Sequence, residues 1–194
     1  MIPQPATSVF DDMTQCTDAM VERMLPLVPE WRRDQAMAFR HTFGRFACLK
    51  SFLMLKSLLY SEFGFSGSIS FELNAHGKPS VAGYPDMQFS ISHCRNAIAV
   101  AVWDRPVGID VESFRKVSDS LMRRTMNDME MERILKSGDP GIEFAALWTK
   151  KEAVFKLQGT GITDNLHDIL SEPVRIETAI NREKGYALST AVSL

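Results

Sequence analysis

The stretch Gln88–Glu112, Q-F-S-I-S-H-C-R-N-A-I-A-V-A-V-W-D-R-P-V-G-I-D-V-E, holds three apolar strand candidates in succession, Gln88–Ser92, Ala97–Trp103 and Val107–Val111. The S-H-C-R-N segment between the first two reads as a loop. No helical pattern separates the three, and a doubly wound sheet needs a helical crossover between its parallel strands. Working outward, Ile69, Phe71 and Leu73 alternate with polar residues as in a half-buried strand. Upstream, Phe39, Phe43, Phe46, Leu49, Phe52 and Leu59 recur at helical steps, which predicts one long helix over Arg32–Tyr60. Downstream, Ser118–Lys136 reads as a helix with Met122, Met126, Met129 and Ile134 inside. Asp139-Pro140-Gly141 reads as a stop, and a second strong helix runs over Ile142–Leu157 until Gly159 and Gly161. Val174–Ile176 and Tyr186–Val192 are strand-like on either side of the Asn181–Gly185 turn. The first thirty residues, with Pro3, Pro5, Pro26 and Pro29, read as a lead-in holding a short helix at Thr17–Met24. Helix, strands, helices, strands is the order of an α+β chain, with halves at 1–104 and 105–194 that each carry a long helix and several strands.

Composition bounds the function classes. With 194 residues and 45% hydrophobic content, the chain buries roughly 70% of its unfolded surface and needs no staples. Cys16, Cys48 and Cys94 are widely spaced and odd in number, which argues against disulfides and a structural zinc and for a reducing compartment. No run of 18 apolar residues and no signal peptide is visible, so no membrane partner is expected. Lys plus Arg number 22 against 24 Asp plus Glu, a net charge of -2 that disfavours general nucleic-acid binding.

Three clusters carry chemistry. Asp110 and Glu112 sit at i and i+2 of a strand end, on one face and about 7 Å apart, where a divalent cation or a solvent-facing end would each account for them. In Phe144–Gly161, Glu152 and Lys156 flank an apolar stripe in which Lys151 itself falls. For the pair alone a surface i,i+4 contact is the better reading, whereas Lys151 must find an anion or lose its charge. The Gly159-Thr160-Gly161 turn offers backbone amides to phosphate oxygens. Ser92 and His93 are neighbours and cannot act as nucleophile and base, and no G-x-S-x-G exists, so His93 reads as a donor to an anion or as a structural histidine. Arg32, Arg33 and Arg40 lie in the one strongly basic stretch, which is either a solvated face or an anion path.

H-G-K-P-S, F-S-I-S-H, V-G-I-D-V-E and W-T-K-K-E-A-V-F-K-L-Q-G-T-G, in this order, resemble the Sfp-type 4′-phosphopantetheinyl transferases. The resemblance implies two similar α+β halves about a pseudo-twofold axis, acting as a cytoplasmic monomer with coenzyme A in the cleft and Mg²⁺ on its diphosphate. It implies transfer of the phosphopantetheine arm to a serine of an apo acyl or peptidyl carrier protein, releasing adenosine 3′,5′-bisphosphate. Carried over by motif, Asp110, Glu112 and Glu152 are metal carboxylates and Glu152 is also the base. His93 and Lys156 hold the diphosphate. Lys78, Pro79, Ser92, Lys151, Gly159 and Gly161 line the coenzyme A site, and Arg32, Arg33 or Arg40 reaches the 3′-phosphate. Cys94 and the loosely matching Asn127–Met131 stretch depart from the pattern, which leaves the choice of carrier open. A metal-dependent phosphodiesterase or nuclease would also use clustered carboxylates and a lysine, and a non-catalytic carrier-binding module would share the fold.

Overall fold

A computed structural model describes residues 4–161 and 166–194. In chain order its elements are strand β1 (Ala6–Phe10), helices α1 (Asp18–Met24), α2 (Glu30–Met37) and α3 (Thr42–Phe63), and strands β2 (Phe71–Leu73), β3 (Pro79–Val81), β4 (Gln88–Cys94), β5 (Ala97–Trp103) and β6 (Val107–Ser113). Helices α4 (Asp119–Thr125), α5 (Asp128–Lys136) and α6 (Pro140–Gln158) and strands β7 (Val174–Asn181) and β8 (Tyr186–Ser193) follow. The fold is α+β, with antiparallel pairing throughout the described sheets.

Strand β5 explains the layering. Its Ile98, Val100 and Val102 pack on Phe46, Leu49 and Phe52 of α3, while Ala97, Ala99 and Ala101 on the other face meet Val107, Ile109 and Val111 of β6 and Val192 of β8. A strand covered on both faces reads as continuously apolar, as this one does. Two three-stranded sheets, ordered β1-β5-β4 and β6-β8-β7, therefore pack against each other between α3 and α6. Apart from the β2-β3 ribbon, each arises from strand, long helix, strand, strand, with the last strand central. Between the sheets, Ser90 Oγ accepts from Ile109 N at 3.0 Å, so a side chain makes the bond that a backbone ladder would otherwise make.

The second face of β6 carries Gly108, Asp110 and Glu112 toward α6. A Cβ on Gly108 would lie 1.9 Å from the Ala153 carbonyl oxygen, so only a bare Cα lets helix and strand approach this closely. This seating holds Glu152 and Lys156 of α6 above the carboxylates of β6.

Several expectations are corrected. The single helix over Arg32–Tyr60 is two, because α2 folds back so that Arg32 bonds the Cys48 carbonyl in the middle of α3, and Ala38–His41 carries the reversal. Phe39 consequently leaves the apolar stripe and is exposed. Ser118–Lys136 is also two helices: Asn127 opens α5 with a reciprocal capping box to Glu130, which resets the helical phase and turns Met129 outward at 80% exposure. Asp139-Pro140 starts α6 rather than stopping its predecessor, since Asp139 accepts from Ile142 N and proline suits a first turn. Strand β4 runs on through Cys94, so Ser92 and His93 are strand residues. Finally, the lead-in contains β1, an edge strand whose half-exposed pattern hides it from periodicity.

Candidate active site

One cavity of about 280 Å³ is walled on one side by His76, Lys78, Pro79, Phe89 and Ile91 of the β2–β4 region and on the other by Glu152, Phe155, Lys156, Gly159 and Gly161 of α6 and its end. The turn Asn74–Lys78 is built by Asn74, whose Oδ1 accepts from the His76 and Lys78 amides at 2.9 Å each. Asn74 Nδ2 also donates to the Gly159 carbonyl at 2.9 Å, which ties this turn to the end of α6. Gly159 ends α6 with a φ of 68°, where a Cβ would also strike the Lys78 side chain.

At the inner end of the cavity Lys156 Nζ donates to Asp110 Oδ1 at 2.7 Å, and the same oxygen accepts from Ser92 Oγ at 2.7 Å. Asp110 is 3% exposed, and its Oδ2 is buried with no hydrogen-bond partner. Glu152 is raised to about 7, by burial first and the Asp110 charge second, with Lys156 pulling the other way. The pKa of Glu112 is raised as well, by burial and then the Asp110 charge, with Arg115, Trp148 and Lys156 pulling the other way. His93 stacks on Phe43 at 5.7 Å and 9°. Its pKa is lowered, by desolvation and then Lys156. His93 is exposed by area, so close packing on one ring face, rather than enclosure, accounts for that direction.

Some expected ligand contacts are committed elsewhere. Lys151 is 0% exposed and pairs with Glu130 at 2.6 Å, so the anion it needs is internal and Lys151 does not face the cavity. Arg32 gives its guanidinium to the Cys48 carbonyl, Gln35 and Ser51 and lies over the Phe52 ring, which removes it as a phosphate contact. Ser92 is buried under Asp110 and serves that carboxylate. Lys78 does line the cavity, with its ammonium on the Val107 and Leu157 carbonyls at 3.3 and 3.2 Å and, among the described residues, no carboxylate to cancel its charge. Arg33 and Arg40 are exposed, and Arg40 lies just before the start of α3, the helix end that brings Phe43 to His93. Sequence reasoning missed Asn74, Ser90 and Phe43, whose roles depend on partners 85, 19 and 50 positions away; only the N-A-H-G-K turn signal pointed toward Asn74.

The model of the 4′-phosphopantetheinyl transferase superfamily matches residues 106–191, the stretch from the start of β6 into β8 that carries all three carboxylates and Lys156. Residues 106–191 are thus similar to that superfamily. The chain is 30% identical over 149 residues to the 4′-phosphopantetheinyl transferase psf-1 of Bacillus pumilus, a match covering 75% of this chain and 64% of that protein. It is 27% identical over 145 residues to the 4′-phosphopantetheinyl transferase Sfp of Bacillus subtilis strain 168, covering 73% of this chain and 65% of the relative. The matched stretch is thus just under two thirds of the length of these relatives. No helix among the described residues is long and apolar enough to cross a membrane.

A divalent cation is part of what the resemblance implies. Among the described residues, no three His, Cys, Asp or Glu side chains already converge as a cage. The donors nevertheless fit a hard cation in kind: a buried carboxylate oxygen without a partner, and two further carboxylates whose protonation is favoured by mutual repulsion and burial. A cation drawn among them would relieve both penalties.

Proposed function

We propose that the protein transfers the 4′-phosphopantetheine arm of coenzyme A to a serine of an apo acyl or peptidyl carrier protein, as a monomer in the cytoplasm. Two similar halves, 1–104 and 105–194, related by a pseudo-twofold axis, form the cleft. The observation that carries the reading is the Lys156–Asp110 pair at 2.7 Å beside Glu152, raised to about 7, at one cavity lined by the β2–β4 region and α6.

Asp110, Glu112 and Glu152 would hold Mg²⁺, which supplies positive charge to the diphosphate when bound. Lys156 and Lys78 place cationic donors beside the coenzyme A phosphates, and His93 donates from the β4 side. Glu152 takes the proton from the carrier serine, directly or through water. The serine oxygen bonds to the phosphorus on the pantetheine side, and the bond from that same phosphorus to the bridging oxygen breaks. The bridging oxygen leaves with adenosine 3′,5′-bisphosphate, its charge met by Lys156.

Incubation with coenzyme A, Mg²⁺ and an apo carrier protein tests this directly. The expected result is a carrier mass increased by one phosphopantetheine arm; carriers of every synthesis type remaining unmodified would refute it.

A further inference from the structure

One wall of the cavity is a ribbon that belongs to neither three-stranded sheet. Strands β2 and β3 pair over three residues each, too few to hold a position by their own ladder. The base of the ribbon is fixed by Phe71, whose ring lies 5.1 Å from Phe89 and 5.3 Å from Trp31. Its tip is exposed from Glu72 to Gly77, yet His76, Gly77, Lys78 and Pro79 at that tip line the cavity. Two side chains tie the tip to α6. Lys78 Nζ donates to the Leu157 carbonyl at 3.2 Å, and Asn74 Nδ2 donates to the Gly159 carbonyl at 2.9 Å, across 85 positions.

Asn74 has the chemistry this junction needs. Its Oδ1 accepts from the His76 and Lys78 amides at 2.9 Å each while its Nδ2 reaches the opposite wall, so one planar amide shapes the turn with its acceptor and seats it with its donor. The partners fix its orientation, since the two N–H groups can meet only the oxygen and the carbonyl only the nitrogen. The seat is close: a Cβ on Gly159 would lie 2.8 Å from Lys78 Cδ and 3.2 Å from Asn74 Nδ2.

Resting on the reading of this cavity as the coenzyme A site, we propose that Asn74 is a positioning residue for coenzyme A binding. It holds the His76–Pro79 wall against the Gly159 end of α6. Lys78 has a second use for its ammonium at the ligand phosphates, whereas Asn74 makes its three bonds within the protein and is the tie that stays when the ligand arrives.

Two variants remove the donor. Asn74→Asp keeps an acceptor for both turn amides and adds a charge; Asn74→Ser adds none and is too short to reach Gly159. Asn74 is exposed, so neither change opens the core. Calorimetric titration with coenzyme A in the absence of carrier is expected to show Kd for Asn74→Ser weakened about fivefold relative to wild type at both low and high salt. Asn74→Asp should show an additional loss that shrinks as salt rises. Both kcat at saturating coenzyme A and KM for the carrier should stay within about twofold of wild type. The Gly159 carbonyl carbon resonance should shift in both ligand-free variants as its hydrogen bond is lost. Equal Kd values for wild type and Asn74→Ser would overturn the proposal, as would an unmoved Gly159 resonance. So would a loss shared equally by Kd, kcat and the carrier KM, the mark of general loosening. Absence of any coenzyme A binding by wild type would instead refute the proposed function itself, and this proposal with it.

Discussion

Glu152 is where burial and like charge act on a single carboxyl, and the consequence for stability has a definite sign. Its folded pKa, about 7, lies above the ordinary value of 4.5, so the folded protein holds the extra proton between these values. That contribution is fully present below pH 4.5 and is lost as pH rises through 7. Glu152→Gln should therefore abolish transfer yet raise Tm at pH 8 in metal-free buffer by roughly 2 to 4 °C, about 1 kcal/mol, with the gap closing toward pH 4.5. Thermal scans across that range check it, and a Tm deficit at pH 8 would count against the repulsion. Lys156→Ala is expected to lower kcat by ~10² to 10³ fold with a smaller change in KM, because a charge on the departing oxygen acts in the transition state. For the 3′-phosphate, Arg40→Gln should reduce the preference for coenzyme A over 3′-dephospho-coenzyme A by ~10 to 150 fold, equivalent to about 1.5 to 3 kcal/mol. Arg32→Gln should leave that ratio alone and cost stability instead, since its donors are spent on Cys48, Gln35 and Ser51. Titrations with both ligands distinguish the two arginines. Strand and helix periods put Asp110 with Glu112 and Glu152 with Lys156 on shared faces, but only the family resemblance joined the two pairs into one site, and the Lys156–Asp110 bond across 46 positions was not legible in either period. The duties of Arg32, Ser92 and Lys151 were not legible either, because each is set by a partner at least fifteen positions away, Cys48, Asp110 and Leu166 respectively.

Helix α6 and strand β6 form one unit, joined where Gly108 lets the Ala153 carbonyl close onto the strand. Gly108→Ala sets a methyl against backbone that cannot rotate away, so α6 must lift and take Glu152 and Lys156 off Asp110. A loss of about 3 kcal/mol or more, seen as a Tm fall of roughly 6 to 12 °C, is expected together with loss of transfer. Retained Tm would show that the two elements are not in register contact. Strands β5 and β6 and the two long helices were readable because uninterrupted apolar runs and long stripes are strong patterns. The ends of helices were less so. Wheel geometry carries one phase across a chain reversal, while the true phase restarts at each cap, as it does at His41 and Asn127.

Across the whole molecule the two three-stranded sheets are joined by more than their packed faces. Strand β1 pairs with β5 in the first sheet, while its flanks bond the second: Gln4 donates to Glu177 at 2.9 Å, and Asp11 accepts from Tyr186 at 3.1 Å. Deleting residues 1–11 should therefore cost cooperative unfolding, not merely one edge strand. Two separated denaturation transitions, or aggregation, are expected in place of one, as followed by far-UV circular dichroism and Trp fluorescence together. The fold class was available from the order of elements, whereas the face-to-face stacking of the sheets was not, because it rests on which face of β5 bears the smaller side chains. That detail sets a dimension. Ala97, Ala99 and Ala101 are the spacer between the two sheets, and Ile91 of the neighbouring strand β4 lines the cavity. The gap is gauged by single methyl groups, so a two-carbon addition such as Ala99→Val acts as a shim, able to prise the two sheets apart from within their shared core.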